Sequence, residues 1–567
     1  MTLENPPWLG AYPAAVPADF EFPQVPLTRL LDDAAGAFPT AVAISYAGRT
    51  VTYRELLSDV DRFAGALRQL GVQAGERVAI VLPNCPQFVV ALFAATRIGA
   101  VAVPCNPLAT AVELRDELGM VEPSALVCLD RSVATLREAL PDLPKERIVV
   151  ASLLDYYRAS ARLSLRSPMP KSRRKRARLT AHVPAGMPTF RALLRSGNPA
   201  RQVRVDAARD VAVLQFTGGT TGTPKAAMLT HANLVANAYQ TRLWIPDATA
   251  GRETTLSVLP LFHVFGLTLC VLTTVLLGGR LVLLPRFDLD LVFDAIDDER
   301  PTLFPGVPPI YQAIVDAPDV RRHDLSSIRV CISGAMKLPL ATQDRFERIT
   351  GARLVEGYGT TETSPATHCN PVAGPGKRAT VGVPLPGTEA RIVDPTDPGR
   401  ELVSGAEGEL AVRGPQVFLG YWPAGAETAD PVVDSDGWFR TGDLARMDDD
   451  GYFTIVDRLK DVIIAGGFNI YPGEVEAVIA SVEGVADCCV VGLPDRYRGE
   501  TVKAYVVPQA GVEVTEQQIV DACAQQLSAY KVPKLVEMRD SLPRSAVGKA
   551  LRRELLAQEK AKGVTGG

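Results

Sequence analysis

Apolar segments of strand length alternate with amphipathic helical segments along most of this chain, and this alternation constrains its fold most strongly. Thr52-Tyr53-Arg54-Glu55 is a capping-box pattern that opens a helical segment running towards residue 70. The apolar run 77–82 predicts a buried strand, 88–98 predicts a helix, and 100–103 predicts another strand. Strands that alternate with helices predict an α/β fold, in which parallel sheets carry helices on their faces.

The alternation resumes after residue 207, continues past residue 360 and then changes character. From Gly408 the strands shorten and the turns become rich in Asp and Gly, which predicts a small antiparallel subdomain. After Lys460 a compact α+β part follows, with helices expected near 474–482 and 516–527. A chain of 567 residues exceeds what one hydrophobic core supports, so two or more domains are expected.

A loop rich in glycine and threonine follows the apolar run 211–216. It consists of Thr217, Gly218, Gly219, Thr220, Thr221, Gly222, Thr223, Pro224 and Lys225. The glycines let the backbone approach an anion closely, and consecutive N–H groups in such a loop form an anion-binding nest. Lys225 adds a point charge suited to phosphate. A Walker A motif requires Ser or Thr directly after the lysine, but Ala226 stands there, so a different nucleotide reaction is predicted.

This loop resembles the signature of AMP-forming acyl-activating enzymes, which include acyl-CoA synthetases, aryl-CoA ligases, luciferases and peptide-synthetase adenylation domains. Five further stretches occur in the family's order, at 260–263, 357–362, 438–443, 457–461 continuing to 466–467, and 543–549. The resemblance covers nearly the whole chain and is greatest to bacterial long-chain fatty acyl-CoA ligases. It implies that a fatty acid, ATP and CoA are the substrates, that the reaction passes through an acyl-adenylate, and that Mg²⁺ is required.

The resemblance assigns the nucleotide to residues in several of these stretches. The residues that match the family's ATP- and AMP-binding positions, besides the 217–225 loop, are Gly334, Ala335, Gly357, Tyr358, Gly359, Thr361, Asp443 and Arg458. The two carboxylate oxygens of Asp443 suit the vicinal hydroxyls of a ribose. Small residues such as Gly334 and Ala335 after a strand also serve simple packing, so they are less diagnostic.

Catalytic roles follow from the same resemblance. Lys549 matches the lysine that stabilises charge developing at the carboxylate and α-phosphate, and Lys225 would hold the outer phosphates. Glu362 matches the magnesium ligand, and Mg²⁺ commonly takes one carboxylate together with substrate phosphates. His263 is either a satisfied core histidine or an aromatic gate beside the acyl carboxylate, and the match favours the gate. Gly466 and Gly467 would line the tunnel for the CoA thiol, although a hairpin turn also explains them.

The resemblance further implies the domain organisation. An N-terminal domain would span residues 1–457, a hinge would span 458–461, and a C-terminal lid would span 462–567. The lid would rotate about Lys460 and Asp461 between the two half-reactions, withdrawing Lys549 and presenting the two glycines to the thiol.

A basic insertion interrupts the N-terminal part at about 156–205. It holds thirteen Lys and Arg residues and no Asp or Glu, and nine of the thirteen lie between Arg158 and Arg178. Arg158, Arg162 and Arg166 recur every four residues, which predicts one side of a helix. A solvated insertion, an anionic membrane surface patch and a nucleic-acid patch are the three interpretations. The likeness to long-chain fatty acyl-CoA ligases favours the membrane surface.

Composition excludes several classes of protein. The formal net charge of −4 argues against general nucleic-acid binding. The nine cysteines show no metal-type CxxC pairs and are expected to be buried free thiols in a reducing cytosol. The N-terminal residues lack the features of a signal peptide, and the uncharged stretch 256–279 reads better as a buried helix followed by a strand than as a membrane span. A cytoplasmic location is expected, with peripheral contact to the inner face of the plasma membrane.

Alternative functions remain open on sequence grounds. Within the enzyme class these are an aryl-CoA ligase and a fatty acyl-AMP ligase that passes its adenylate to a carrier protein. From another class, the chain could be a membrane-surface scaffold with a degenerate ligase fold. The acyl chain length and the oligomeric state, for which a dimer is one option, cannot be read from the residues.

Overall fold

The computed structural model describes residues 6–165, 167, 169–217, 224–423, 432–465, 468–495, 498–546 and 548–562. Its strands are β1 Val42–Tyr46, β2 Arg49–Thr52, β3 Arg77–Val81, β4 Val101–Pro104, β5 Ala125–Leu129, β6 Ile148–Ala151, β7 Val211–Thr217, β8 Lys225–Thr230, β9 Thr254–Ser257, β10 Arg280–Leu283, β11 Val330–Ser333, β12 Arg353–Gly359, β13 Ala366–Cys369, β14 Val383–Pro384, β15 Glu389–Val393, β16 Gly408–Arg413, β17 Tyr421–Trp422, β18 Phe439–Met447, β19 Phe453–Arg458, β20 Ile463–Ala465, β21 Phe468–Ile470, β22 Val485–Asp495, β23 Gly499–Pro508 and β24 Leu535–Met538. Its α-helices are α1 Arg29–Ala37, α2 Tyr53–Gln69, α3 Pro86–Arg97, α4 Ala111–Val121, α5 Val133–Ala139, α6 Ala159–Leu165, α7 Pro170–Leu179, α8 Phe190–Ser196, α9 His231–Trp244, α10 Thr273–Leu276, α11 Leu289–Glu299, α12 Pro308–Asp316, α13 Leu340–Thr350, α14 Pro472–Ala480, α15 Glu516–Gln526 and α16 Arg552–Ala561.

The chain divides into two compact units. The large unit comprises Met1–Glu389 and Arg413–Phe439, and the small unit comprises Ala390–Val412 and Arg440–Gly567. This division groups the segment 390–412 and the region from 440 onward with the C-terminal part, whereas the sequence placed a boundary at residue 457. The hinge at 458–461 stays a prediction.

The described residues of the large unit form three sheets. A seven-stranded sheet has the order β17-β8-β7-β4-β3-β5-β6, in which β3 pairs in parallel with β4 and β5. Residues 78–81 of β3 are fully buried, as expected for a strand covered by helices on both faces. The two four-stranded sheets have the orders β2-β1-β10-β9 and β11-β12-β13-β14. The predicted α/β fold with parallel sheets is confirmed.

Local signals set several of these elements. Thr52 caps α2 by accepting a hydrogen bond from the Glu55 amide, and the Glu55 side chain accepts one from the Thr52 amide in return. The capping box predicted from the sequence is therefore present, and it fixes the start of a helix whose inner face is fully buried at Val60, Phe63 and Leu67.

Two sheets are present in the part of the small unit that the structure describes. In the sheet β15-β16-β18-β19, strands β18 and β19 are antiparallel. The second sheet has the order β21-β20-β23-β22, with β24 paired to β23, and α14 packs against β22. Its core includes Ile463, Val475, Ile479 and Val490. The predicted antiparallel subdomain and α+β part are both present.

Among its described residues, the basic insertion forms three α-helices, α6, α7 and α8. Helix α6 is short, and it contains Arg162 while Arg158 precedes it and Arg166 lies outside the described residues. Leu163 is 69% exposed, whereas Leu165 is 5% exposed.

The cysteines and the long apolar stretch behave as predicted. All nine cysteines are free thiols, and all but the half-buried Cys488 are buried. The stretch 256–279 forms the end of β9, a π-helical segment Gly266–Leu272 and α10, and the strand β10 follows. Among the residues that the structure describes, no helix has the length and apolar character needed to cross a membrane.

Candidate active site

The two ends of the glycine- and threonine-rich loop lie side by side. Strands β7 and β8 are antiparallel neighbours, and Thr217 at the end of β7 pairs directly with Lys225 at the start of β8. The six predicted nucleotide-binding residues between them, Gly218, Gly219, Thr220, Thr221, Gly222 and Thr223, lie outside the described residues. What the structure establishes is the anchoring of the loop at both ends.

Tyr421 joins two candidate residues that are far apart in the sequence. Strand β17 pairs with β8, which places Tyr421 opposite Ala227. The Lys225 Nζ atom lies 4.9 Å from the centre of the Tyr421 ring, and the Tyr421 hydroxyl donates a 2.6 Å hydrogen bond to Oε1 of Glu362. The tyrosine therefore connects the expected phosphate lysine with the expected magnesium ligand, and sequence reasoning missed it.

The turn that carries Glu362 is held by its backbone. Glu362 lies in the 3-10 turn Thr361–Thr363, and its carbonyl accepts a 2.9 Å hydrogen bond from the Phe418 amide. A Cβ atom on Gly359 would lie 1.7 Å from the carbonyl oxygen of Pro365, so glycine is required there. These contacts bring the segment that contains Tyr421 against the Glu362 turn.

Glu362 fits the magnesium site that the resemblance implies. Its carboxylate holds the Tyr421 hydroxyl through one oxygen, and Mg²⁺ is often bound by one carboxylate together with substrate phosphates. Within the described parts of the chain, no group of three or more His, Cys, Asp or Glu side chains could hold a metal ion. A magnesium ion at Glu362 would therefore take most of its ligands from the nucleotide and water.

Four of the residues expected to bind the nucleotide lie near the carboxyl ends of two neighbouring strands. Strands β11 and β12 are parallel, and Ser333 pairs with Glu356, so Gly334 and Gly357 follow at neighbouring strand positions. A Cβ atom on Gly334 would lie 2.9 Å from the Phe265 ring, so a larger residue there would require that ring to shift.

The residue directly after each of these two glycines lies at the same end of the sheet. Ala335 adopts a left-handed backbone conformation with φ of 67°. Tyr358 packs edge-to-face against His368 at 5.9 Å between ring centres. The structure thus brings together four of the residues that the resemblance assigns to the nucleotide.

His263 lies in a segment fixed by two buried amides. The Asn84 side chain accepts a hydrogen bond from the Leu261 amide at 2.9 Å. The Gln215 side chain, two residues before the end of β7, donates to the Phe262 carbonyl at 2.8 Å. Sequence reasoning found neither side chain, because nothing near them in the chain marks these partners.

Burial determines the charge state of His263. It lowers the pKa of His263 to about 4, so the ring is neutral at physiological pH. The Phe265 amide donates to His263 Nδ1 at 3.3 Å, which leaves the proton on Nε2. A neutral ring suits a gate or a hydrogen-bond donor better than a cationic partner for phosphate.

Asp443 and Arg458 form an ion pair in the small unit. They face each other across the antiparallel strands β18 and β19, and Arg458 Nε lies 2.9 Å from Asp443 Oδ1. The Asp443 side chain is 6% exposed, so its charge is held mainly by its protein partners. The pairing supports the expectation that both residues contact one ligand group.

Lys549 lies within the electrostatic range of this pair, in the same unit. Burial lowers the pKa of the Lys549 ammonium, and the Arg458 charge lowers it further, whereas Asp443 acts in the opposite direction. The lysine sits in a tight turn, where the Ser545 amide donates to the Lys549 carbonyl at 2.8 Å. The structure therefore brings together three candidate residues from separate stretches of the sequence.

The expected hinge and CoA tunnel are described only in part. Lys460 and Asp461 lie in the 3-10 turn Leu459–Asp461, directly after β19. Gly466 and Gly467 lie outside the described residues.

Comparison with known protein families gives two matches. The model described as "AMP-binding enzyme" matches residues 31–422, and the model described as "AMP-binding enzyme C-terminal domain" matches residues 474–549. The first contains Lys225, Glu362 and Tyr421, and the second ends at Lys549. Asp443 and Arg458 lie between the two matched regions.

Individual relatives cover nearly the whole chain. The long-chain-fatty-acid–CoA ligase of Bacillus subtilis (strain 168) is 40% identical over 561 residues, which is 98% of both chains. The feruloyl-CoA synthase of an Amycolatopsis species is 38% identical over 523 residues, 91% of this chain and 96% of that one. The crystal structure of ATP-bound MatB from Rhodopseudomonas palustris superimposes with a TM-score of 0.79 at 30% identity, covering 94% of this chain and 98% of that one.

Proposed function

The chain belongs to the AMP-binding enzyme family, and we infer that it is an ATP-dependent, AMP-forming fatty acyl-CoA ligase. A carboxylate oxygen of the fatty acid attacks the α-phosphorus of ATP, the bond to the pyrophosphate oxygen breaks, and pyrophosphate leaves. The thiol of CoA then attacks the carbonyl carbon of the acyl-adenylate. AMP leaves, the thiol proton is released, and the acyl-CoA thioester is formed.

This inference rests on one observation: a relative that matches nearly the whole chain is a fatty acyl-CoA ligase, and the chain has the charged residues that this reaction requires. The Bacillus ligase matches 98% of the chain, and the chain holds the charged groups that the chemistry needs. Lys225 and Glu362 meet at Tyr421, which supports a site for the outer phosphates. Lys549 lies close to the Asp443–Arg458 pair, which supports stabilisation of charge beside the ribose.

Magnesium and the lid belong to the proposal. Mg²⁺ supplies positive charge that neutralises the phosphates when it is bound, and Glu362 would hold it. Asp443 and Arg458 would hold the ribose, and His263 would border the acyl carboxylate. The lid would turn about Lys460 and Asp461 between the two steps.

A comparison of acids and acceptors tests the assignment. Palmitate and ferulate are supplied with ATP and Mg²⁺, with and without CoA, and pyrophosphate release and thioester formation are measured separately. A fatty acyl-CoA ligase releases pyrophosphate with palmitate and forms palmitoyl-CoA. Preference for ferulate would instead identify an aryl-CoA ligase, and palmitoyl-AMP that never becomes a thioester would identify an acyl-AMP ligase. If neither acid causes pyrophosphate release, the chain would instead be a scaffold with a degenerate ligase fold.

The basic insertion is proposed to bind an anionic membrane surface. Helix α7 exposes the side chains of Arg173 and Arg176, and Leu163 and Met169 are 69% and 62% exposed. Basic residues near anionic lipid each contribute about 1 kcal/mol, and exposed apolar side chains add contact with the lipid interface. Such a surface would bring a cytoplasmic enzyme to substrates that partition into membranes.

Liposome sedimentation tests this part of the proposal. Replacing Arg173, Arg174, Lys175 and Arg176 with Gln should weaken binding to liposomes that contain anionic lipid, and salt should weaken binding of the unmodified protein. The matched control replaces Arg191, Arg195, Arg201 and Arg204, which removes the same charge elsewhere in the insertion. Equal loss in both variants would indicate a general charge effect. Binding to duplex DNA but not to liposomes would favour a nucleic-acid patch.

A further inference from the structure

Arg552 makes four polar contacts in the small unit. Its Nη2 atom lies 2.7 and 2.8 Å from the two carboxylate oxygens of Glu476, and its Nε donates to the Val490 carbonyl at 3.1 Å. Its Nη1 lies 3.0 Å from Oδ2 of Asp461. The side chains of Arg552, Asp461 and Glu476 are 19%, 15% and 22% exposed, so water screens these contacts only weakly.

These contacts join two different parts of the small unit. Glu476 lies on α14 and Val490 on β22, and the Val490 amide also donates to Glu476 Oε1 at 2.8 Å. Three contacts therefore fix the guanidinium to the core of the C-terminal part. The fourth reaches Asp461, the last residue of the turn proposed as the hinge. Rotation about the Cα–C bond of Asp461 would turn its side chain relative to this core and break the contact.

The Asp461–Arg552 contact coexists with a particular placement of Lys549. Arg552 begins α16 only three residues after Lys549, and in this arrangement the Lys549 ammonium feels the charges of Asp443 and Arg458. The ion pair between Arg552 and Asp461 therefore also restrains the turn that contains Lys549.

A second contact crosses the hinge in the same arrangement. Asp457 precedes the hinge, and its Oδ2 accepts a 2.7 Å hydrogen bond from the amide of Gly473, which follows the hinge. Its other oxygen accepts from the Arg458 amide at 2.7 Å. This contact also links the orientation of the lid to the position of Arg458.

We propose that Arg552 is a positioning residue for the adenylation step, because its ion pair with Asp461 holds the lid in the orientation that presents Lys549 to Asp443 and Arg458. Arg552 acts through the hinge and does not contact a substrate. This role rests on the proposed function, since it requires one lid orientation for adenylation and another for thioester formation.

Separate assays of the two half-reactions test the proposal. Adenylation is followed by palmitate-dependent exchange of pyrophosphate into ATP, and thioester formation is followed from supplied palmitoyl-AMP and CoA. Arg552→Gln should slow adenylation by about tenfold or more, because the charge-assisted contact with Asp461 belongs to the adenylating orientation alone. Its contacts with Glu476 and Val490 lie within the lid, so their loss affects both orientations alike. Thioester formation should proceed at least as fast as in the unmodified protein.

Variants of the two partners separate positioning from folding. Asp461→Asn removes the negative charge from the hinge contact and leaves the Arg552–Glu476 pair, so it should reproduce much of the loss of adenylation. The double variant should be no worse than Arg552→Gln alone. Glu476→Gln weakens the pair inside the lid and should lower the melting temperature without changing the ratio of the two half-reaction rates. Arg552→Lys keeps a cation opposite Asp461 and should recover part of the adenylation rate.

The outcomes distinguish failure of the proposed role of Arg552 from failure of the proposed ligase function. If the unmodified protein carries out both half-reactions and Arg552→Gln and Asp461→Asn slow them equally, or slow neither, Arg552 has no positioning role. If the unmodified protein carries out neither half-reaction with any acid tested, the proposed function fails and this inference fails with it.

Discussion

Replacing Tyr421 with phenylalanine removes one hydrogen bond from the candidate active site and leaves the aromatic ring in place. The lost contact is the 2.6 Å hydrogen bond to Glu362 Oε1. A hydrogen bond to a charged group contributes about 1.5–3 kcal/mol, and both side chains are only half-buried, so water replaces part of it and about 1–2 kcal/mol is expected. If this energy orients the carboxylate for Mg²⁺, the magnesium concentration for half-maximal adenylation should rise by roughly 5- to 30-fold.

The contact between Tyr421 and Lys225 can be tested with a second substitution of Tyr421. Tyr421→Leu also removes the ring that lies 4.9 Å from the Lys225 Nζ atom, a contact of about 0.5–1 kcal/mol at a partly exposed position, and should weaken ATP binding further. Tyr12→Phe is the matched control, since it deletes a 2.7 Å hydrogen bond to the Pro384 carbonyl in the same unit. Pyrophosphate exchange is measured against magnesium at fixed ATP. Overlapping magnesium titrations for Tyr421→Phe and the unmodified protein would refute the reasoning, as would an equal shift in Tyr12→Phe.

Three further outcomes follow from the structure. Lys549→Ala should abolish adenylation and spare thioester formation from supplied acyl-AMP, and equal loss in both assays would contradict its assigned role. Glu362→Gln should raise the magnesium requirement of adenylation, whereas an unchanged titration would mean that Glu362 is structural. Arg97→Met should lower the free energy of unfolding by about 2–3 kcal/mol, because Arg97 lies 2.9 Å from Asp32 and 2.5 Å from Asp61 and is itself 8% exposed. Burial raises the pKa of Asp61 and Arg97 opposes that rise, so the folded Arg97→Met variant should bind a proton more readily, and its deficit in melting temperature should shrink from pH 7 to pH 5.

The features that the sequence predicted are those that depend on nearby residues or on strand order. The capping box at Thr52 needs only Glu55, three residues away, and the structure contains it. The expected position of Gly334 after a strand depends on the residues just before it, and Gly334 directly follows β11 in the structure.

The features that the sequence did not predict are contacts between distant residues without a local signal. Tyr421 reaches Glu362 across 59 residues, and it does so because β17 pairs with β8, which a two-residue strand cannot indicate in advance. Arg552 reaches Asp461 across 91 residues, and an arginine at the start of a helix is ordinarily read as a solvated charge. Such contacts are set by tertiary packing, so the residues that support a site are harder to predict than those that match a motif.

The pairing of Thr217 with Lys225 has a consequence for how a nucleotide would be held. Because β8 follows the loop directly and α9 begins only at His231, the phosphates would meet the mouth of a hairpin instead of the positive end of a helix dipole. The charge of Lys225 at the rim would then add to the expected contribution of the loop's backbone N–H groups, and salt would screen the attraction of that charge. The strand pairing also holds the two ends of the loop together before any ligand binds. The entropic cost of bringing these ends together therefore belongs to folding and does not reduce the binding affinity.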